Sequence, residues 1–470
     1  MMFGAFMMLP LIVGHLLRDA ATRAYDLSVV LTVATGALLW VLARRSRREL
    51  QAQHGFLLVA LTWTALPALA TLPLLLGIPG LSFTDAYFEA SSAMTTTGAT
   101  VLTGLDALPP SINLWRALLQ WIGGMGVVVL AVAILPMLRV GGREVFRAET
   151  PGPMKDQKLT PRLAQTAKGL WSVYIALTAA CILAYRWGGM SWLDAAIHAF
   201  TTMSLGGYSS HDASFAFFDS PLLEAIAVAF MIAAGINFGT HFMALHGRTL
   251  NPYRRDPEVF AFLAILLVSC GGIAALLFGA GFYDDPATAV RQATFNVVSI
   301  ATTTGYASTD YGLWPLFAPL WMLTLCCFAS CSGSTGGGIK MIRAQMLLLH
   351  TSALAKQLLH PKAVIPVKLG SMQVGTGVIL GMLGFLMVFG LTTLVAVLVL
   401  IATGLDLLSS LTAAVACITN TGPGLGTVGP SGNYASLGDF QKWILAAIML
   451  LGRLELFTLL VVFSPAFWKR

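Results

Sequence analysis

Stretches of about 20 apolar residues recur along this chain from end to end, and they restrict its fold more than any motif does. A tract of that length crosses the hydrocarbon core of a bilayer as a helix, which satisfies every backbone N–H and C=O within the segment. A soluble fold needs roughly a quarter of its residues charged. Here 10% of the 470 residues are charged and 57% are hydrophobic. The chain therefore reads as an all-α polytopic membrane protein.

Two apolar tracts, 1–17 and about 26–43, come first, and the earlier one is short for a full span. With no basic n-region and no obvious cleavage site, it does not resemble a cleaved signal peptide. One plan then repeats four times: an outer helix, a shorter apolar helix, a Thr-Gly turn, a polar excursion and an inner helix. The first unit reads Phe56–Leu76, Thr84–Met94 and Leu114–Leu138, and the second Trp171–Tyr185, Trp192–Met203 and Leu222–Leu245. The third reads Val259–Phe278, Ala287–Ala301 and Pro315–Leu349, and the fourth Val374–Ala402, Leu407–Ile418 and Trp443–Phe463. The expected organisation is an N-terminal two-helix extension over 1–50 and four pore repeats at 51–150, 151–250, 251–365 and 366–470, ten spans in all.

The turns carry the functional signal. They are Thr95-Thr96-Thr97-Gly98, Ser204-Leu205-Gly206, Thr302-Thr303-Thr304-Gly305 and Thr419-Asn420-Thr421-Gly422. With glycines taken at 98, 206, 305 and 422, the spacing is 108, 99 and 117 residues. A single such turn is an ordinary helix C-cap; four in matching settings need another explanation. The preceding helix, at roughly 10–14 apolar residues, is too short to span and fits a re-entrant segment. Irregular backbone at membrane depth is tolerated only where it is buried in protein or lines a watery cavity. Four re-entrant helices and four turns around one axis predict a pseudo-fourfold pore. A cation in such a pore exchanges its hydration shell for backbone carbonyls. Aiming successive carbonyls at one axis requires conformations that a Cβ resists, hence glycine. Each short helix also turns its negative dipole end toward the axis. The candidate ion-binding residues are Thr96, Thr97, Gly98, Ser204, Leu205, Gly206, Thr303, Thr304, Gly305, Asn420, Thr421 and Gly422.

The inner helices carry glycines at a similar depth, Gly124, Gly235, Gly333 and Gly452. The third is interrupted outright by Ser332-Gly333-Ser334-Thr335-Gly336-Gly337-Gly338, followed by Lys340 and Arg343. Such a run does not stay helical in mid-span without cost. It is either a flexible link between two ordinary spans or a loop beneath the turns that obstructs the pore, and the second reading suits its depth. The fourth inner helix holds Arg453 and Glu455. A buried arginine faces a polar interior or a partner, and residues two apart on a helix point away from each other. A guanidinium below a cation pathway is an electrostatic barrier. Arg453 with Ser332, Gly333, Ser334, Thr335, Gly336, Gly337, Gly338 and Lys340 forms the candidate gate.

Charge sets the expected topology. Arg44, Arg45, Arg47 and Arg48; Arg139, Arg143, Arg147, Lys155, Lys158, Arg162 and Lys168; Arg248, Arg254 and Arg255; Arg343, Lys356, Lys362 and Lys368; and Lys469 with Arg470 mark basic, cytoplasmic loops and both termini. Acids such as Asp85, Asp106, Asp194, Asp212, Asp285 and Asp406 gather near the turns. Arg18, Arg23, Arg116, Arg186 and Arg291 depart from this bias. The basic loops read as topology signals rather than nucleic-acid sites. The six cysteines lie in or beside apolar tracts without CxxC spacing and read as buried small residues. The eight histidines show no metal spacing. Gly333 to Lys340 lacks the Gly-Lys-Ser/Thr ending of a phosphate loop. A membrane hydrolase using Ser332 and Lys340 is a competing function, but no acid partner or oxyanion hole is apparent beside that pair.

The whole chain resembles the TrkH family, the pore subunits of bacterial Trk potassium uptake systems, within the Trk/Ktr/HKT superfamily. The resemblance rests on Leu119-Gln120-Trp121-Ile122-Gly123-Gly124-Met125-Gly126, Gly333-Ser334-Thr335-Gly336-Gly337-Gly338, Gly422-Pro423-Gly424-Leu425-Gly426 and Gly452-Arg453-Leu454-Glu455-Leu456-Phe457-Thr458. It implies a non-enzymatic potassium pathway in a bacterial cytoplasmic membrane, a homodimer, and a cytoplasmic TrkA-type partner that binds nucleotide and controls the gate. This chain itself would need no cofactor, and potassium would be its substrate. The resemblance also implies that Gly98, Gly206, Gly305 and Gly422 are the filter glycines. In related plant transporters serine at the first of them goes with sodium preference, so four glycines favour potassium over a less selective sodium or ammonium pathway. The expected partner surface is basic and includes Arg343, Lys356 and Lys362.

Overall fold

The computed structural model describes residues 1–44, 52–134, 163–370 and 372–468. Arg45, Arg47, Arg48, Arg139, Arg143, Arg147, Lys155, Lys158, Arg162, Lys469 and Arg470, and the end of the first inner tract, lie outside the described residues. The described chain is helical apart from loops and one two-residue antiparallel pairing, Lys368–Leu369 with Met372–Gln373. Among the described residues five helices are long and apolar enough to cross a membrane, and two bent pairs would make seven. The first helix, Met2–Leu17, is one of the shorter apolar helices.

The long helices show why the outside of this bundle belongs in lipid. Along Thr376–Ala402, Leu380, Met387, Leu391, Leu394 and Leu398 are exposed, and they recur at the three- and four-residue spacing of one helix face. Phe385, Phe389, Ala396, Val397 and Leu400 point the other way into the core. The N-terminal pair, Met2–Leu17 and Thr22–Ala43, lies against the first unit. Tyr25 donates to the Ser111 carbonyl at 2.9 Å, and Phe3 meets Trp115 edge-on.

At the centre sit four short helices: Phe83–Met94, Trp192–Met203, Pro286–Ala301 and Leu407–Ile418. Their lengths, 12, 12, 16 and 12 residues, are too small for a span. Each is started by a polar side chain that accepts an orphan first-turn N–H. Ser82 accepts from Asp85, Ser191 from Asp194, Asp285 from Ala287 and Thr288, and Asp406 from Ser409. Several acids that mark one face by charge are therefore helix N-caps or first-turn residues, favoured there by the helix dipole.

Two of the arginines that depart from the charge bias are paired with acids. Arg116 Nε donates to Glu89 at 2.8 Å with both side chains buried, and Arg291 bridges Glu224 and Asp219. Glu89 also accepts from Thr100 and Val101, so its buried carboxylate is well satisfied. Lys442 joins the fourth unit to the first through Asp85 at 2.6 Å.

The inner helices differ from the expected plan. The interruption at Ser332–Gly338 is present, between Phe317–Phe328 and Met341–Leu359. Two further breaks were not foreseen. The second inner helix bends by 95° between Pro221–Gly235 and Phe238–Gly247, and the fourth by 115° between Asp439–Arg453 and Phe457–Phe463. No proline marks either break. Asn237 recaps the chain by accepting from Gly239, and Glu455 and Leu456 take positive φ.

Candidate ion pathway

All four turns are one local structure. After the last helical residue the chain places Thr95, Ser204, Thr302 and Thr419, then Thr96, Leu205, Thr303 and Asn420, whose φ values are 55°, 54°, 64° and 56°. The next residue donates its N–H to the carbonyl five residues back: Thr97 to Ser92, Gly206 to Thr201, Thr304 to Ser299 and Thr421 to Ala416, at 2.8–2.9 Å. These are Schellman caps with a non-glycine residue in the left-handed position. A β-branched or leucine side chain resists that conformation, so Thr96, Leu205 and Thr303 mark backbone held by its surroundings, whereas asparagine at 420 adopts it more readily.

The following residue fixes the register. Gly98, Gly207, Gly305 and Gly422 all have positive φ, 82°, 73°, 88° and 94°. A Cβ on Gly98 would overlap the Gly206 carbonyl, one on Gly207 that of Thr304, one on Gly305 that of Thr421, and one on Gly422 that of Thr97. Each glycine therefore backs onto the residue before the glycine of the next unit, and the fourth closes on the first. This corrects the sequence alignment of the second repeat by one residue. Gly207 occupies the glycine position, Gly206 matches Thr97, Thr304 and Thr421, and Ser204 matches Thr95. Thr-Gly spacing misled because the second turn carries two glycines and no threonine. The glycine separations become 109, 98 and 117 residues, by subtraction along the sequence.

Tyrosines brace the ring. Tyr208 OH reaches the Ala99 carbonyl at 2.9 Å, and Tyr434 OH the Gly422 carbonyl at 2.7 Å. Tyr306 OH donates to the His198 carbonyl and lies against Thr201 and Thr202 of the second short helix. On the acidic face a cavity opens over the ring, lined by Gly98, Gly207, Gly305 and Gly422 with Arg116, His211 and Asp212. There the loops of the first two units clasp. His211 bonds Asp106 at 2.5 Å, Asp212 N donates to Asp106, and Leu105 N to Asp212. The His211 bond holds the Asp106 carboxyl below its usual pKa.

On the other side of the ring lies the Ser332–Gly338 loop. Thr335 Oγ1 donates to the Met203 carbonyl at 3.0 Å, and Gly337 N donates to Thr303 Oγ1 at 2.9 Å. A Cβ on Gly337 would overlap the Thr419 carbonyl, and one on Gly336 would crowd that of Thr302. The loop is thus pressed against the ends of the second, third and fourth short helices. Arg453, buried, donates to Thr335 O at 2.9 Å and to Gly123 O at 3.3 Å, which ties the loop to the first unit as well. Lys340 Nζ folds back onto the Gly336 carbonyl. That commits the amine which the hydrolase alternative would need.

Two residues organise this region to which the sequence assigns no role: Glu258, and Gln120 of the 119–126 stretch. Glu258 Oε1 accepts from Ser332 N at 3.0 Å and Ile342 N at 2.9 Å, so one carboxylate holds both ends of the loop. The signal available was an acid at the start of an apolar helix, directly after a basic run. Gln120 reaches the second turn from the first inner helix. Glu455 pairs with Arg343 at 2.8 Å rather than with Arg453. Arg343 is buried and packs on Phe385, which removes it from the expected partner surface; Lys356 and Lys362 are exposed. All six cysteines are free thiols, four of them buried.

Spanning helices that surround a closed ring of capped helix ends define a class, the multi-pass membrane proteins that move cations. Residues 24–470 match the TrkH family, described as cation transport protein, and the chain belongs to that family. It is 45% identical over 469 residues to the Trk system potassium uptake protein TrkH of Salmonella typhimurium, covering all of this chain and 97% of that protein. It is 34% identical over 469 residues to the Trk system potassium uptake protein TrkG of Escherichia coli, covering all of this chain and 96% of that one. Among solved structures, the potassium transporter TrkH from Vibrio parahaemolyticus superposes with a TM-score of 0.92 at 42% identity, over all of this chain and 97% of that one.

Proposed function

We propose that this chain carries potassium into a bacterial cell through the ring of four turns, in the cytoplasmic membrane with both termini on the cytoplasmic side. The observation that carries the reading is the closed cycle of glycine-on-carbonyl contacts. It holds four sets of carbonyls around one axis at fixed separation, which is what replaces the hydration shell of a weakly hydrated cation. Four glycines at the equivalent positions leave the ring free of side chains, so potassium suits it better than sodium. The Ser332–Gly338 loop and Arg453 form the gate on the cytoplasmic side of that ring. The names of the relatives support potassium as the ion and a multi-component system. A homodimer and a nucleotide-binding TrkA-type partner complete the proposal, with Lys356 and Lys362 on the surface that the partner meets.

Purified protein in liposomes tests it. Potassium should enter down its gradient, and a tenfold excess of sodium should compete poorly. Intact, monodisperse protein that passes no potassium, or passes sodium equally well, refutes the reading.

A further inference from the structure

The four turns are not braced alike. In three, the threonine before the glycine bonds through its hydroxyl to the threonine two residues earlier: Thr97 to Thr95 at 2.7 Å, Thr304 to Thr302 at 2.8 Å and Thr421 to Thr419 at 2.8 Å. The second turn has Ser204 and Gly206 at those places, and Ser204 Oγ turns back to the Thr201 carbonyl. The side chain missing from position 206 is replaced from another element. Gln120, fully buried on the first inner helix, donates Nε2 to the Gly206 carbonyl at 2.6 Å and accepts from Tyr208 N through Oε1 at 3.2 Å. A Cβ on Gly206 would land on that carboxamide. Gly206 is absent from the positive-φ glycines, so its backbone does not require glycine. Space for Gln120 does.

We propose that Gln120 is a positioning residue for ion selection, the surrogate for the threonine that the second turn lacks. The proposal rests on reading the ring as the ion pathway. The Gly206 carbonyl that Gln120 holds is the one against which Gly98 of the neighbouring turn backs. The Tyr208 amide on its other end belongs to the residue whose hydroxyl braces Ala99. One carboxamide therefore sets the distance between the first and second turns, where the other turns use a local hydroxyl pair. Loss of either bond lets a ring carbonyl move, and selection between ions of different radius is sensitive to such movement.

The test is a reciprocal exchange, read as potassium against sodium competition in liposomes with KM and maximal rate separated. Gln120→Ala removes both bonds, and Gly206→Thr expels the carboxamide from its place. Each should lower potassium preference by about tenfold, the effect of roughly one buried hydrogen bond. The pair Gln120→Ala with Gly206→Thr makes room for a hydroxyl at 206 that can reach Ser204, which reproduces the other three turns. It should recover most of the lost preference. Gln120→Glu, nearly the same shape, keeps the acceptor for Tyr208 but loses the donor to Gly206, and serves if the alanine variant does not assemble. Its preference should fall while its elution profile stays monodisperse. Wild-type selectivity in Gln120→Glu, or a double variant no better than the worse single one, overturns the proposal. Gly98→Ser runs alongside. If it shifts selectivity while the Gln120 series does not, the surrogate role fails and the filter stands. If neither shifts, the filter reading itself fails.

Discussion

Arg453 offers the sharpest test of the proposed gate. Its guanidinium makes one well-formed bond to the Thr335 carbonyl, 2.9 Å, and a longer one to Gly123, 3.3 Å, while Nε has no partner. A charged donor to a buried carbonyl contributes about 1.5–3 kcal/mol, and the longer bond adds roughly 1 kcal/mol or less. The unpartnered Nε offsets part of that, by about 1 kcal/mol. Arg453→Ala therefore takes about 1.5–3 kcal/mol from the loop's hold under the ring, a factor of roughly 10 to 150 in the closed-to-open ratio of the proposed gate. The barrier that a fixed positive charge sets against an entering cation falls as well. Basal potassium flux in liposomes, without any regulatory subunit, should rise by at least tenfold. Arg453→Lys keeps the charge but loses the planar fork that reaches both carbonyls, so its flux should lie between the two. Flux in Arg453→Ala at or below the wild-type level, in protein that elutes and melts normally, would show that Arg453 is only a tie between Gly123 and the fourth inner helix.

Gly207→Ser should weaken potassium preference as strongly as Gly98→Ser, because both residues have positive φ and back onto a carbonyl, whereas exposed Thr103→Ser should leave competition by sodium unchanged. Charge reversal at Lys356 and Lys362 should reduce co-purification of the proposed TrkA-type partner without loss of flux; full retention of such a partner counts against that surface. The Asp106 carboxyl is lowered by His211, so the clasp between the first two outer loops is fully present above the unfolded carboxylate range, about pH 4, and is lost as pH falls through the lowered folded value. Amide exchange at Asp212, whose N–H donates to Asp106, should rise there beyond its intrinsic rate, and Asp106→Asn should abolish that excess.

The architecture was legible because its signals are physical and repeated. Apolar length marked the spans, and the four short helices stood out because 12 to 16 residues do not cross a bilayer. The loop at Ser332–Gly338 announced itself by composition. What stayed hidden was set by contacts between distant segments. The second and fourth inner helices read as continuous apolar runs, since Gly235-Ile236-Asn237 and Leu454-Glu455-Leu456 contain no proline. Their breaks depend on partners elsewhere: Phe238 N donates to Gly333 O, Cys331 N to Gly235 O, and Glu455 is drawn to Arg343. The one-residue slip at Gly206 has the same origin. Side-chain type in the turn suggested Thr-Gly, but the glycine is required where the next unit's carbonyl approaches, and no local pattern carries that.

The attachments of the Ser332–Gly338 loop also say which part of it could move. Glu258 accepts from Ser332 N and from Ile342 N, and so binds both ends to the start of a long spanning helix. Releasing either end would remove one of the two donors that this buried carboxyl group has, a costly state. The middle is held differently, by Arg453 on Thr335, by Lys340 on the Gly336 carbonyl, and by single bonds from Thr335 and Gly337 to the ring above. Between fixed ends and a lightly held middle stand Gly333 and Gly338, both at positive φ, 72° and 77°. These glycines can change dihedral angles at little steric cost. If the loop is the gate, Ser334–Gly337 is the stretch that swings, and Glu258 is the anchor it swings from. Glu258→Gln keeps a carbonyl acceptor for the two amides and should leave gating near normal. Glu258→Ala removes the anchor, and should raise basal flux even with Arg453 in place. Were Glu258→Ala to assemble normally and stay closed, the loop ends would be held by packing alone, and the swing would have to be sought in the helices that carry it.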